Sequence, residues 1–96
     1  MNIDYPRPSN YGYTIYTKTG CPYCERVKVL LKDNIPLPRY IDCDLFLTFN
    51  RDKFMNFIKQ FTKIEYRTFP MVFLNGHFIG GYKETKDFYE EALNYR

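Results

Sequence analysis

Cys21, Pro22, Tyr23 and Cys24 set two thiols at the spacing that closes a small disulfide. Such a pair can exchange electrons with other disulfides or supply half of a tetrahedral zinc site. Zinc needs two further ligands, and the spare candidates, Cys43 and His77, stand far apart at no regular spacing, so no metal site is expected. Redox chemistry is the stronger reading because of what flanks the pair. Pro22 has a fixed φ that suits a first helical turn, and it has no N–H to leave unpaired there. Cys21, at or just before that turn, faces unpaired N–H groups and the positive end of the helix dipole. Both favour the thiolate and lower a cysteine's pKa below its ordinary value of about 8.5.

The elements that must hold the pair follow from periodicity. Tyr13 to Thr17 has the alternating β-branched and aromatic character of a half-buried strand, and Cys24 to Lys32 carries Val27, Leu30 and Leu31 on one helix face. Asn34 to Pro38 breaks the pattern, and Arg39 to Asp42 reads as a short second strand. From Asn50, a reasonable N-cap, to Lys63, the residues Phe54, Phe57, Ile58 and Phe61 recur on one helical stripe. Met71 to Leu74 and His77 to Ile79 flank Asn75-Gly76, which predicts a type I′ hairpin closed off by Gly80 and Gly81. A final helix from about Thr85 to Asn94 is expected to bury Phe88, Ala92 and Leu93. The order βαβαββα predicts an α/β fold: a mixed four-stranded sheet, at least one parallel crossover, and helices on both faces. Residues 1–12, with Pro6, Pro8 and Gly12 and no period, read as an irregular lead-in whose tyrosines can dock on the core; residues 13–96 read as the domain.

A 96-residue chain with 45% hydrophobic content suffices for one core, much of it from 10 tyrosines and 9 phenylalanines. The net charge of +3 is spread along the chain. It does not call for nucleic acid, and it suits an anionic small molecule or an acidic surface approached by salt-sensitive steering. The apolar runs fall far short of the roughly 20 residues that span a bilayer, so no membrane role is expected. Three cysteines without a leader sequence suggest a reducing, cytoplasmic setting, with Cys43 a packed thiol.

Lys18-Thr-Gly-Cys-Pro-Tyr-Cys24, Arg67-Thr-Phe-Pro70, Met71-Val-Phe-Leu-Asn-Gly76 and Ile79-Gly-Gly81 follow one another in the order, and near the spacings, of dithiol glutaredoxins. From Tyr13 onward the chain resembles that family. The resemblance implies the thioredoxin-like fold, reduction of protein disulfides and glutathione mixed disulfides, and glutathione as co-substrate with no tightly bound cofactor. Partners would be disulfide-containing or glutathionylated proteins, met by a monomer. It further implies that Cys21 attacks and Cys24 resolves. A glutathione groove would be formed by Lys18, Tyr23, Arg67, Thr68, Phe69, Pro70, Gly81, Tyr82 and Lys83. In it Lys18 supports the thiolate, Tyr23 flanks the glutathione sulfur, the Phe69 backbone ahead of a cis Pro70 pairs with the cysteinyl unit, and Arg67 meets the glycine carboxylate. Gly80 and Gly81 permit close backbone approach.

Two positions depart from the family pattern. Lys83 stands where Ser, Thr or Asp usually caps the last helix, which leaves the cap to Glu84 or Thr85. Lys63-Ile-Glu-Tyr66 replaces a shorter, glycine-containing link, leaving Asn56, Lys59 and Gln60 as candidates for a second carboxylate contact. Two other activities fit the same motifs: a thioredoxin-type reductant, and a glutathione-ligated iron–sulfur carrier. Lys18, Tyr23 and the double glycine weigh against the first, and the stiff Pro22 against the second.

Overall fold

Seven elements account for most of residues 4–94, the part of the chain that the computed structural model describes. They are β1 (Tyr13–Thr17), α1 (Pro22–Leu30), β2 (Arg39–Asp42), α2 (Asp44–Thr62), β3 (Met71–Leu74), β4 (His77–Gly80) and α3 (Tyr82–Asn94). The sheet order is β2-β1-β3-β4; β1 runs parallel to β2 and antiparallel to β3, which pairs antiparallel with β4. This is the expected mixed sheet with βαβαββα order.

Strand alternation divides the core between the two faces of the sheet. Tyr16, Met71 and Phe73 pack on one face with Phe54, Met55 and Ile58 of α2, while Tyr13, Ile15 and Val72 pack on the other with Val27 and Leu31 at the end of α1. Because β1 is central and covered on both sides, all five of its residues are buried, and it is not the half-buried strand its alternation suggests. Its threonines remain satisfied: Thr17 Oγ1 donates to Ile41 O at 3.3 Å, and Thr14 Oγ1 accepts the Ser9 N–H at 3.0 Å.

Four elements have bounds that differ from the sequence reading. Helix α1 spans Pro22–Leu30, where the apolar stripe suggests Cys24 to Lys32. Helix α2 begins at Asp44, but Asn50 (φ −162°, ψ 88°) breaks it into two segments. Asn50 does cap the second, its Oδ1 accepting the Lys53 N–H at 3.1 Å. The first segment escapes a periodicity search because Leu45 and Phe49 point to solvent. Helix α3 starts three residues early, at Tyr82, and this rotates its buried face. Thr85 is buried and Tyr82 and Tyr89 pack on the core, whereas Phe88, Ala92 and Leu93 are exposed. Strand β4 extends to Gly80.

The Asn75-Gly76 turn has positive φ at both positions (51° and 84°), as a type I′ hairpin requires. Its Asn75 side chain accepts the Gly12 N–H at 2.8 Å, anchoring the end of the lead-in. Within that lead-in Tyr5 docks against Phe46, Phe54 and Phe57, with ring centroids 5.0, 5.3 and 5.1 Å away. Tyr16 Oη donates to Pro6 O at 2.7 Å.

Candidate active site

The dithiol sits where the parallel crossover leaves the sheet. Cys21 is the N-cap of α1, in extended conformation, and Pro22 follows in the first turn. Gly20 has φ +70°, a conformation other residues adopt at a cost, and this turn swings the chain from β1 into the helix. Cys21 and Cys24 are joined as a disulfide with Cα atoms 5.2 Å apart, within the range such bonds require. The two sulfurs are not equivalent. Cys21 keeps 9% of its surface exposed and Cys24 only 1%. The Cys24 N–H donates to Cys21 Sγ at 3.2 Å, which places a backbone donor where a Cys21 thiolate would form after reduction. Across the gap, Phe69 O lies 3.5 Å from Cys21 Sγ. The Phe69–Pro70 peptide is cis, as the resemblance implies, and so is Ile35–Pro36.

Beside Cys21 runs a groove of about 570 Å³ lined by three chain segments. The first contributes Lys18, Gly20, Cys21, Pro22 and Tyr23; the second contributes Tyr66, Arg67, Thr68, Phe69 and Pro70; the third contributes Gly81, Tyr82, Lys83 and Glu84. The nine groove residues that the resemblance implies all line it, as does Cys21, whereas Cys24, Gly80 and the second-contact candidates Asn56, Lys59 and Gln60 do not. Tyr23 and Tyr82 stack with centroids 5.8 Å apart, joining the first and third segments. Arg26 lies 5.1 Å over the outer face of Tyr23. Lys18 Nζ sits 5.8 Å from the Phe69 ring, so that ring gives the lysine a resting place on the groove wall.

At the start of α3 the missing cap is supplied by neighbours. Glu84 reaches back to accept the Gly81 N–H at 2.8 Å, one half of a capping box, and Thr85 Oγ1 donates to Gly81 O at 2.8 Å. Lys83 turns outward and pairs with Asp87 at 3.4 Å. A Cβ on Gly81 would stand 2.6 Å from Tyr66 Oη, so glycine is what lets the second and third segments close on each other.

Tyr66 and Glu84 are thus groove residues that no periodicity marks; Tyr66 lies in an unpatterned link, with only its nearness to Arg67 as a signal. Asp44, which does not line the groove, is likewise unmarked by periodicity. Its carboxylate accepts both the N–H (2.9 Å) and the hydroxyl of Thr19, tying the loop before Cys21 to the start of α2. The Thr19 hydroxyl, then the Thr19 N–H, hold the Asp44 pKa below the ordinary carboxylate value. Its folded-state pKa is depressed, so the tether is in force above the usual aspartate range and is lost only as pH falls below it. Asp44→Ala is expected to speed hydrogen exchange at the Thr19 amide by roughly tenfold, whereas Asp44→Asn, which still accepts, should retain most of the protection. Cys43, by contrast, is fully buried, and desolvation pushes its pKa up to about 12, which keeps it a protonated, unreactive thiol.

A protein-family model described as Glutaredoxin matches residues 13–79. Among curated relatives, glutaredoxin-C4 of Arabidopsis thaliana is 30% identical over 85 residues, covering 88% of this chain and 59% of its own. Among solved structures, glutaredoxin 1 from Francisella tularensis, complexed with cacodylate, superposes with a TM-score of 0.72 at 29% identity, covering 86% of this chain and 96% of that one. A buckwheat glutaredoxin–glutathione complex superposes with a TM-score of 0.63 at 30% identity, covering 83% and 69% of the two chains. The chain spans about half the length of the curated relatives it matches, 59% of the first and 51% of the second. The matched residues run from the strand that leads into Cys21 to the hairpin before Gly81, and on that likeness of sequence and fold the chain belongs to the glutaredoxin family.

Proposed function

We propose that this protein is a glutathione-dependent thiol–disulfide oxidoreductase, reducing glutathione mixed disulfides and protein disulfides. One observation carries the reading: the more exposed sulfur of the pair stands at a helix N-terminus and on the wall of a groove with cations at its edges. The glutathione complex of the buckwheat relative supports glutathione as the groove's ligand.

Once the disulfide is reduced, the Cys21 thiolate attacks the glutathione sulfur of a mixed disulfide. The bond between that sulfur and the substrate thiol breaks, the substrate sulfur leaves with the electron pair and takes a proton, and Cys21 carries glutathione. A second glutathione thiolate attacks the same glutathione sulfur, forming oxidised glutathione and releasing Cys21. With a protein disulfide, Cys21 forms the mixed disulfide with the substrate, and Cys24 then displaces it, regenerating the Cys21–Cys24 disulfide. Two glutathiones return that disulfide to the dithiol. The groove's contribution is orientation. Tyr23 and Phe69 flank the reacting sulfur, and the backbone of Phe69 is available to pair with an extended ligand. The reaction requires a compartment that keeps glutathione reduced, such as the cytoplasm, and a monomer suffices for it.

The test is a deglutathionylation assay in which oxidised glutathione is recycled by glutathione reductase. Saturable turnover that needs added glutathione is expected. Turnover supported by thioredoxin reductase instead, with no dependence on glutathione, would replace this reading with a thioredoxin-type reductant.

A further inference from the structure

Arg67, a cation of the groove wall, is already engaged. Arg67 Nη1 lies 3.1 Å from Glu65 Oε1, and the other oxygen of the same carboxylate lies 3.0 Å from Lys59 Nζ. Glu65 therefore holds one cation of the groove wall and one from the last turn of α2. The two pairs, with Lys59 contributing more than Arg67, lower its pKa and keep it ionised. Nothing in the helix asks for this carboxylate. It lies beyond the C-cap of α2, Lys63, which has φ +64° and donates its N–H to Lys59 O. An acidic group near a helix C-terminus faces the negative end of the dipole, so its placement answers to the two cations.

We propose that Glu65 is a specificity-determining residue that competes with the carboxylate of an incoming glutathionyl ligand for Arg67. The inference rests on the reading of the groove as a glutathione site. Binding then exchanges one ion pair for another: the ligand's carboxylate takes Arg67, and Glu65 retreats to Lys59. All three side chains are more than half exposed, so the internal pair is weak and exchange is easy. Glu65 thereby narrows the groove's preference for ligands with a carboxylate at this end: such a ligand trades one pair for another, and a ligand without one leaves the Arg67–Glu65 pair in place.

Exchange also leaves a signature in salt. Replacing one exposed ion pair by another keeps their number constant, so the wild-type KM should depend only weakly on ionic strength. In Glu65→Gln the ligand makes a new pair instead, and its KM should rise more steeply with salt. At low salt Glu65→Gln is expected to lower KM for the mixed disulfide of glutathione and 2-mercaptoethanol by about two- to fivefold, the worth of one exposed pair. Lys59→Gln should move KM the other way, since Glu65 then belongs wholly to Arg67. A KM that is unchanged or higher in Glu65→Gln, or a gain that persists undiminished at high salt, would overturn the proposal. A wild-type protein that shows no saturable dependence on the glutathionyl substrate would instead remove the functional reading on which the proposal stands.

Discussion

Cys21→Ser is expected to lose turnover of every disulfide substrate, by about 10³-fold or more, because a serine hydroxyl is not ionised at neutral pH and no other thiol can stand in. Cys24 lies behind the groove wall at 1% exposure, and Cys43 is sealed in the core. Cys24→Ser should behave differently. Removal of glutathione from a mixed disulfide needs only Cys21 and a second glutathione, so that activity should stay within about tenfold of the wild type. Reduction of a protein disulfide should fall much further, because release of the substrate relies on the resolving thiol. Measured side by side on a glutathionylated and a disulfide-bonded protein, the two variants should separate along that line. Equal loss of both activities in Cys24→Ser would show that the second thiol takes part in the glutathione steps as well.

The largest stability effect should come from Phe54→Ala. Phe54 has no exposed surface, and its ring lies among those of Tyr5, Tyr16, Phe46 and Phe57 at centroid distances of 5.3, 6.2, 5.5 and 6.2 Å. Truncation leaves a void lined by rings from the lead-in, β1 and both segments of α2, which cannot all move to fill it. A cost of about 3–5 kcal/mol is expected. That is a large share of the roughly 5–15 kcal/mol that holds a domain of this size folded. Urea unfolding should show it as a lower midpoint. Phe88→Ala is the matched comparison: Phe88 is 43% exposed, so its loss should cost less than about 1 kcal/mol. Similar costs for the two would mean that the outer face of α3 is more tightly packed than its exposure implies.

The Phe54 and Phe88 pair also shows where the sequence could be read and where it could not. Phe54, Ile58 and the hairpin at Asn75-Gly76 were readable because a helical stripe and a pair of positive-φ residues are local signals. Phe88 misled because the register of α3 depends on where the helix starts. That start is set by Glu84 reaching back to the Gly81 N–H, in place of a cap at Thr85. The first segment of α2 carries Leu45 and Phe49 at 67% and 71% exposure, so its apolar residues do not trace a buried face. At the site, the Cys21 loop, Arg67 to Pro70 and Gly81 could be read as motifs. Tyr66 and Asp44 could not, since each acts on a residue brought near only by the fold, whereas Glu84 lies three residues after Gly81 and is legible as a candidate cap.

Whether Cys21 is the sulfur that carries glutathione can be read by mass. Reduced Cys24→Ser protein is incubated with oxidised glutathione, digested without reduction, and mapped. One glutathione per chain is expected, on Cys21 alone, with Cys43 unmodified. A protein that takes up no glutathione, or takes it up on Cys43, would contradict it.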